Sequence, residues 1–272
     1  MRPQEMYEAC VTALGDYVRG AGYKDVVIGL SGGIDSTVVA VMAADALGAE
    51  HVHGVLLPGP YSTDHSVDDA EDLARRVGIE VRTVSICEPF EAFEHVLARA
   101  CGGALEGLAA ENTQARCRMV CLMAISNARD WMMLNTGNKS EAMMGYSTLY
   151  GDTAGAFAPI GGLYKTDVYA VARWRNDHAE ARGEEPPIPE HVLVKPPSAE
   201  LSPGQSDEAS LGIAYAELDP ILIAAMERGE SAEQIAAAGF DRAQVDSVLR
   251  RAAAYAFKRA LEPPFPDTRF YE

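Results

Sequence analysis

The sequence predicts an α/β protein: a doubly wound parallel sheet followed by a small C-terminal helical region. Three observations predict it. Apolar, β-rich runs alternate with helical patterns through the first half of the chain, as they do where helices cover both faces of a sheet. The first of these runs, Asp25-Val26-Val27-Ile28, feeds the loop Gly29-Leu30-Ser31-Gly32-Gly33-Ile34-Asp35-Ser36, which opens into an apolar helical stretch. The chain has 272 residues, 48% of them hydrophobic, enough for one large domain with an appendage.

Taken in order, strands are expected over 25–30, 53–57, 81–86 and 131–136, and helices over 7–18, 37–47, 66–77, 90–100 and 114–128. The stretch 182–203 is rich in Pro, Gly and charge and reads as a long loop. Beyond it, Ser231-Ala-Glu-Gln234 and Asp241-Arg-Ala-Gln244 read as capping boxes that each open a helix. The second of these helices carries Val245, Val248, Leu249 and Ala252 on one face and runs toward Leu261, where Pro263 and Pro264 stop it. The expected division is an α/β core over 1–210 and a helical extension over 211–272 packed on the same domain. Ligands of such sheets bind at the carboxyl ends of the strands. This puts the glycine loop and Thr136-Gly137-Asn138-Lys139 on one rim.

Composition narrows the function. A formal net charge of −17 leaves no basic footprint for nucleic acid. No 18-residue apolar run and no signal-peptide core are present, so no membrane span is expected and the cytoplasm is the expected location. The five cysteines, Cys10, Cys87, Cys101, Cys117 and Cys121, contain no Cys-x-x-Cys pair and read as reduced, mostly core thiols.

The glycine loop is an anion site in outline, because a helix N-terminus offers outward N–H groups and a favourable dipole. Gly32 and Gly33 let the backbone approach a phosphate, and Ser31, Ser36 and Thr37 add hydroxyl donors. Asp35 would repel phosphates unless a cation lay between them, so it suggests Mg²⁺. The Gly-Lys-Ser/Thr ending of a Walker loop is absent. Glu141, a few residues past the last strand, is either a second carboxylate for that Mg²⁺ or a helix N-terminal carboxylate favouring the dipole. Asn112 is either a helix cap or a polar contact, Arg116 either a phosphate contact or a solvated arginine, and Arg118 lies in the same segment. Lys165, at a Gly-rich entry to a helix, either holds a phosphate as a point charge or is an exposed lysine.

The Ser-Gly-Gly-x-Asp-Ser loop resembles that of the N-type ATP pyrophosphatases. Further along come the runs Glu111-Asn-Thr-Gln-Ala-Arg-Cys-Arg118, Thr136-Gly-Asn-Lys-Ser-Glu141, Gly145-Tyr-Ser-Thr-Leu-Tyr-Gly-Asp152, Lys195-Pro-Pro-Ser-Ala-Glu-Leu201 and Gln205-Ser-Asp-Glu208. Their order resembles NAD synthetase, with an adenine nucleotide alpha hydrolase-like fold. The resemblance implies ATP-dependent amidation of deamido-NAD through an acyl-adenylate, with release of pyrophosphate and AMP and with ammonia as nitrogen donor. It implies that Gly29, Leu30, Ser31, Gly32, Gly33, Ile34, Asp35 and Ser36 cradle the ATP phosphates. Thr136, Lys165 and Ser198 would contact ATP, and Asp35 and Glu141 would serve Mg²⁺. Asn112, Arg116, Glu141 and Lys258 would place deamido-NAD, and Asp35, Lys165 and Glu141 would form the catalytic set. A homodimer is implied too. Water would hydrolyse an acyl-adenylate, so a mobile stretch over 182–210 that closes on the site is expected.

Two departures bear on the substrate. Leu149 stands where short ammonia-using members carry Lys, and Ala156 where they carry Asp. Other runs look closer to the synthetase domain of the long glutamine-dependent branch. Only about two dozen residues precede the first strand, so no N-terminal amidase domain is expected. The alternatives are free ammonia, a separate glutaminase chain, or a degenerate nucleotide-binding regulator.

Overall fold

The structure, a computed structural model, describes residues 1–272. Its strands are β1 (Val26–Gly29), β2 (Val52–Leu56), β3 (Glu80–Thr83) and β4 (Met132–Met133). All pair in parallel in the order β3-β2-β1-β4. The helices of the first part are α1 (Pro3–Gly20), α2 (Ile34–Leu47), α3 (Asp64–Val77), α4 (Cys87–Cys101) and α5 (Leu108–Arg129). Beyond β4 come α6 (Lys139–Met144), α7 (Lys165–Ala181), α8 (Glu190–Val194), α9 (Asp207–Leu211), α10 (Tyr215–Leu222), α11 (Ala232–Ala237) and α12 (Arg242–Ala254).

The alternation of β1 shows why its sequence is apolar throughout. Val26 and Ile28 face a core built with α1, α2, α3 and α7, while Val27 faces another with α4 and α5. With both faces covered there is no polar side to the strand, and the doubly wound expectation holds. The order of strands sends both the glycine loop and the segment after β4 to the same rim. A third core joins Met144 of α6 and Tyr164 to Leu218, Leu222, Ile235 and Val245 of the C-terminal helices. No helix is long and apolar enough to cross a membrane.

Four local expectations change. β4 is much shorter than 131–136, because Asn135 leaves the ladder and donates its N–H to Phe157 O (2.9 Å). The 182–203 stretch holds the helix α8, and Asn176 pins its approach through both the N–H and the C=O of Ile188. The box at Ser231 closes reciprocally, but at Asp241 only the cap forms; the Gln244 amide turns away to Glu217. α12 ends at Ala254 and a 3₁₀ segment, Ala256–Leu261, continues toward the prolines.

Candidate active site

The glycine loop leaves β1 and enters α2 with Gly33 as N-cap, so no side chain caps the helix. The first helical bond runs from Thr37 N–H to Gly33 O, and helix geometry leaves the N–H groups of Ile34, Asp35 and Ser36 without intrahelical acceptors. Within the loop, Ser36 Oγ accepts from Ser31 N–H (3.2 Å) and donates to Gly33 O (3.2 Å), which holds the turn open. Leu30 and Ile34 are buried anchors in the core. The reason for Gly32 differs from the expectation. Its φ is +74°, and a Cβ there would come within 2.1 Å of Ser66 O in α3, so the glycine serves protein packing before it serves any ligand. Gly32→Ala is therefore expected to destabilise the protein by about 2 kcal/mol or more, read as a lower midpoint in urea unfolding.

Asp35 in the first turn of α2 and Glu141 in the first turn of α6 converge from separate strand ends. What lies between them is Lys165. Its Nζ is 2.5 Å from Asp35 Oδ2 and 3.2 Å from Glu141 Oε1, and its side chain is 1% exposed. The surface-lysine alternative is thus excluded. Asn138 completes the arrangement: its Oδ1 caps α6 by accepting from Glu141 N–H (3.0 Å) and its Nδ2 donates to Asp35 Oδ1 (2.9 Å). Burial alone would discharge Lys165, but Asp35 and Glu141 outweigh it and hold the ammonium above the ordinary lysine range. Burial raises the carboxyl of Glu141 while Lys165 pulls it back. The lysine stays charged because two carboxyl groups face its Nζ at hydrogen-bond distance. Asp207 is buried nearby with Oδ1 lacking a partner.

Two cavities adjoin the glycine loop. An apolar one of about 250 Å³ is lined by Gly29, Leu57, Met119, Leu122 and Met133, with the Arg118 guanidinium on its wall. A polar cleft of about 800 Å³ holds Asp35, Glu141, Lys165, Asn112 and Lys258. Ser31, Thr136 and Ser198 border both.

The remaining expected residues divide. Thr136 stands at the junction of the cavities. Ser198 stands there too, but its hydroxyl already donates to Gln205 O (2.6 Å). Asn112 lies inside α5, which starts at Leu108 after Gly107, so it is no cap; its Oδ1 accepts from the Thr148 hydroxyl (2.7 Å). Arg116 is not brought to the cleft: it is exposed and its Nε donates to Leu149 O (3.1 Å). Lys258 reaches the cleft from the C-terminal region, and its Nζ donates to the carbonyls of Gly145 (2.7 Å) and Ser147 (2.5 Å).

Several residues escaped the sequence reading. Asn138 carried a signal, an Asn three residues before a Glu at a helix start. Glu200 carried none, yet its carboxylate accepts from Thr63 N–H (3.1 Å), Thr63 Oγ1 (3.0 Å) and Ser66 Oγ (2.7 Å), tying its loop to α3. Glu262 lines the cleft with a buried Oε1 that has no partner. Burial, reinforced by Asp152, pushes its carboxyl up to about 7 from 4.5. The folded state thus binds this proton more tightly than the unfolded chain. Its contribution to stability is complete below the unfolded value of 4.5 and is lost as pH rises through about 7. Glu262→Gln is expected to narrow the gap in unfolding midpoint between about pH 5 and about pH 8 relative to the parent protein.

A parallel sheet whose first strand feeds a glycine loop, with two carboxylates and a buried lysine on the same rim, defines an α/β protein of the adenine nucleotide alpha hydrolase-like type. The chain belongs to the NAD synthase family, which matches residues 6–262. It is 48% identical over 259 residues to the glutamine-dependent NAD(+) synthetase of Thermotoga maritima, covering 95% of this chain and 44% of that protein. Among solved structures it resembles the glutamine-dependent NAD+ synthetase of Acinetobacter baumannii in complex with ADP, with 37% identity and a TM-score of 0.68. That match covers 97% of this chain and 47% of the other. The NH3-dependent NAD synthetase of Campylobacter jejuni, in complex with the nitrate ion, is similar at 28% identity and a TM-score of 0.74. Here 95% of this chain and 96% of the other are covered. The chain thus spans about half the length of the curated relatives it matches.

Proposed function

We propose that the chain carries out the ATP-dependent amidation of deamido-NAD to NAD, with ammonia as the nitrogen donor. The observation that supports this most is the convergence of Asp35, Glu141 and Lys165 beside the open amides of α2, where an apolar cavity meets a polar cleft. The apolar cavity suits adenosine, and the cleft suits a polar dinucleotide. The nicotinate carboxylate attacks the α-phosphorus of ATP and pyrophosphate leaves; ammonia then attacks the acyl carbon and AMP leaves. The N–H groups of Ile34, Asp35 and Ser36 and the Lys165 ammonium stabilise the charge that builds on the phosphate oxygens. Thr136 and Ser198 border the nucleotide, and Asn112 and Lys258 line the deamido-NAD side.

Asp35 and Glu141 are hard oxygen donors that already share one cation, and Mg²⁺ characteristically takes one or two carboxylates together with phosphate oxygens and waters. The residues fit the ion, which when bound would neutralise phosphate charge. The relative of known structure named NH3-dependent favours ammonia. The long relatives named glutamine-dependent favour a second reading, in which a separate glutaminase supplies the nitrogen. A cytoplasmic homodimer belongs to the same proposal.

The test is to incubate the purified chain with ATP, Mg²⁺ and deamido-NAD, with either ammonium or glutamine, and to follow NAD, AMP and pyrophosphate. Equal yields of the three with ammonium are expected. Nucleotide binding without turnover under either condition would leave only the regulatory reading.

A further inference from the structure

We propose that Asp219 of α10 is a positioning residue: by bridging the starts of α6 and α7 it sets the separation of Glu141 and Lys165. This rests on the proposed synthetase reaction for its kinetic consequence. The geometry stands apart from it. Asp219 is fully buried, and its Oδ1 accepts from Ser140 Oγ (2.6 Å) in α6. Its Oδ2 accepts from the N–H of Thr166 (2.8 Å) in α7. Ser140 Oγ in turn accepts from the N–H of Lys165 (2.8 Å). Each contact therefore falls on Lys165 itself or on a residue adjoining Lys165 or Glu141.

The need for such a bridge is local. α7 begins at Lys165 after Tyr164, whose side chain makes no capping bond, so the first amides of this helix have no acceptor of their own. Ser140 and Asp219 supply the acceptors from other elements, and a carboxylate at this helix end also favours the dipole. The hydroxyl of Ser140 accepts from Lys165 and so directs its proton to Asp219, which fixes the direction of the whole relay. An amide at 219 has one acceptor oxygen where the carboxylate has two. Asp219→Asn leaves either Ser140 or Thr166 facing a donor, and the junction of α6 and α7 loosens. The C-terminal helices thereby reach the active site through its back wall as well as through Lys258.

The experiment compares Asp219→Asn with Leu222→Ala, a buried apolar change in the same helix that takes no part in this hydrogen-bond relay. Asp219→Asn is expected to lower kcat by about 10–100-fold while the KM for ATP stays within about twofold. Hydrogen exchange at the Lys165 and Thr166 amides should accelerate while the middle of α7 keeps its protection. Leu222→Ala should lower the unfolding midpoint but leave kcat at the parent value well below that midpoint. Parent-like kcat in Asp219→Asn, or equal kcat losses in the two variants at matched stability, would overturn the proposal. If Asp219→Asn does not fold, Ser140→Ala carries the same test, because it removes the acceptor of the Lys165 amide. If the parent protein makes no NAD, the functional reading has failed, and the exchange rates at Lys165 and Thr166 still decide the role of Asp219.

Discussion

Replacing Asp35 with Asn is expected to remove NAD formation, by at least about 10²-fold in kcat/KM, while the protein stays folded. The substitution preserves shape, so packing against α6 is little disturbed. It removes the charge that faces Lys165 Nζ at 2.5 Å and sets an amide beside the Nδ2 donor of Asn138. It also removes one of the two carboxylates that suit Mg²⁺ at the phosphates. Loss should appear in both AMP and pyrophosphate release, because the defect precedes ammonia attack. Full turnover by Asp35→Asn would contradict the place given to this carboxylate.

Replacing Lys165 with Met should have the larger effect on stability. The side chain is 1% exposed and touches two carboxylates that are each less than one-fifth exposed. Taking away the cation leaves Asp35 and Glu141 facing each other with no counter-charge. Unpairing a buried ion pair in this way costs about 3–5 kcal/mol, more than most single substitutions do. Denaturant unfolding at neutral pH measures this, and the same preparation should show no amidation. A variant with parent stability would mean that the two carboxylates find another partner.

The legible parts of this protein are those with local causes. The run from Asp25 through Ser36 reads as strand, loop and helix because each step depends on neighbours in sequence, and the structure keeps it within a residue or three. Of the two readings of Asn112, the cap fails because the residue lies one turn inside a helix that starts after Gly107. β4 is shorter than the sequence predicts because Asn135 turns its N–H to Phe157, a partner that no periodicity announces. Gly32 was legible as an essential glycine, but its cause sits in α3.

The amino-acid order by itself determined the parallel α/β class, the glycine loop at a strand end, and the acidic residues that share its rim, since these follow from propensity, patterning and the geometry of adjacent strands. Only the tertiary structure decided that Lys165 is the buried cation joining Asp35 to Glu141, that Arg116 is exposed and bonded to Leu149, and that Asp219 braces α6 against α7. Those outcomes depend on desolvation and on hydrogen bonds between residues far apart in the chain, and such energies exist only once the helices have packed.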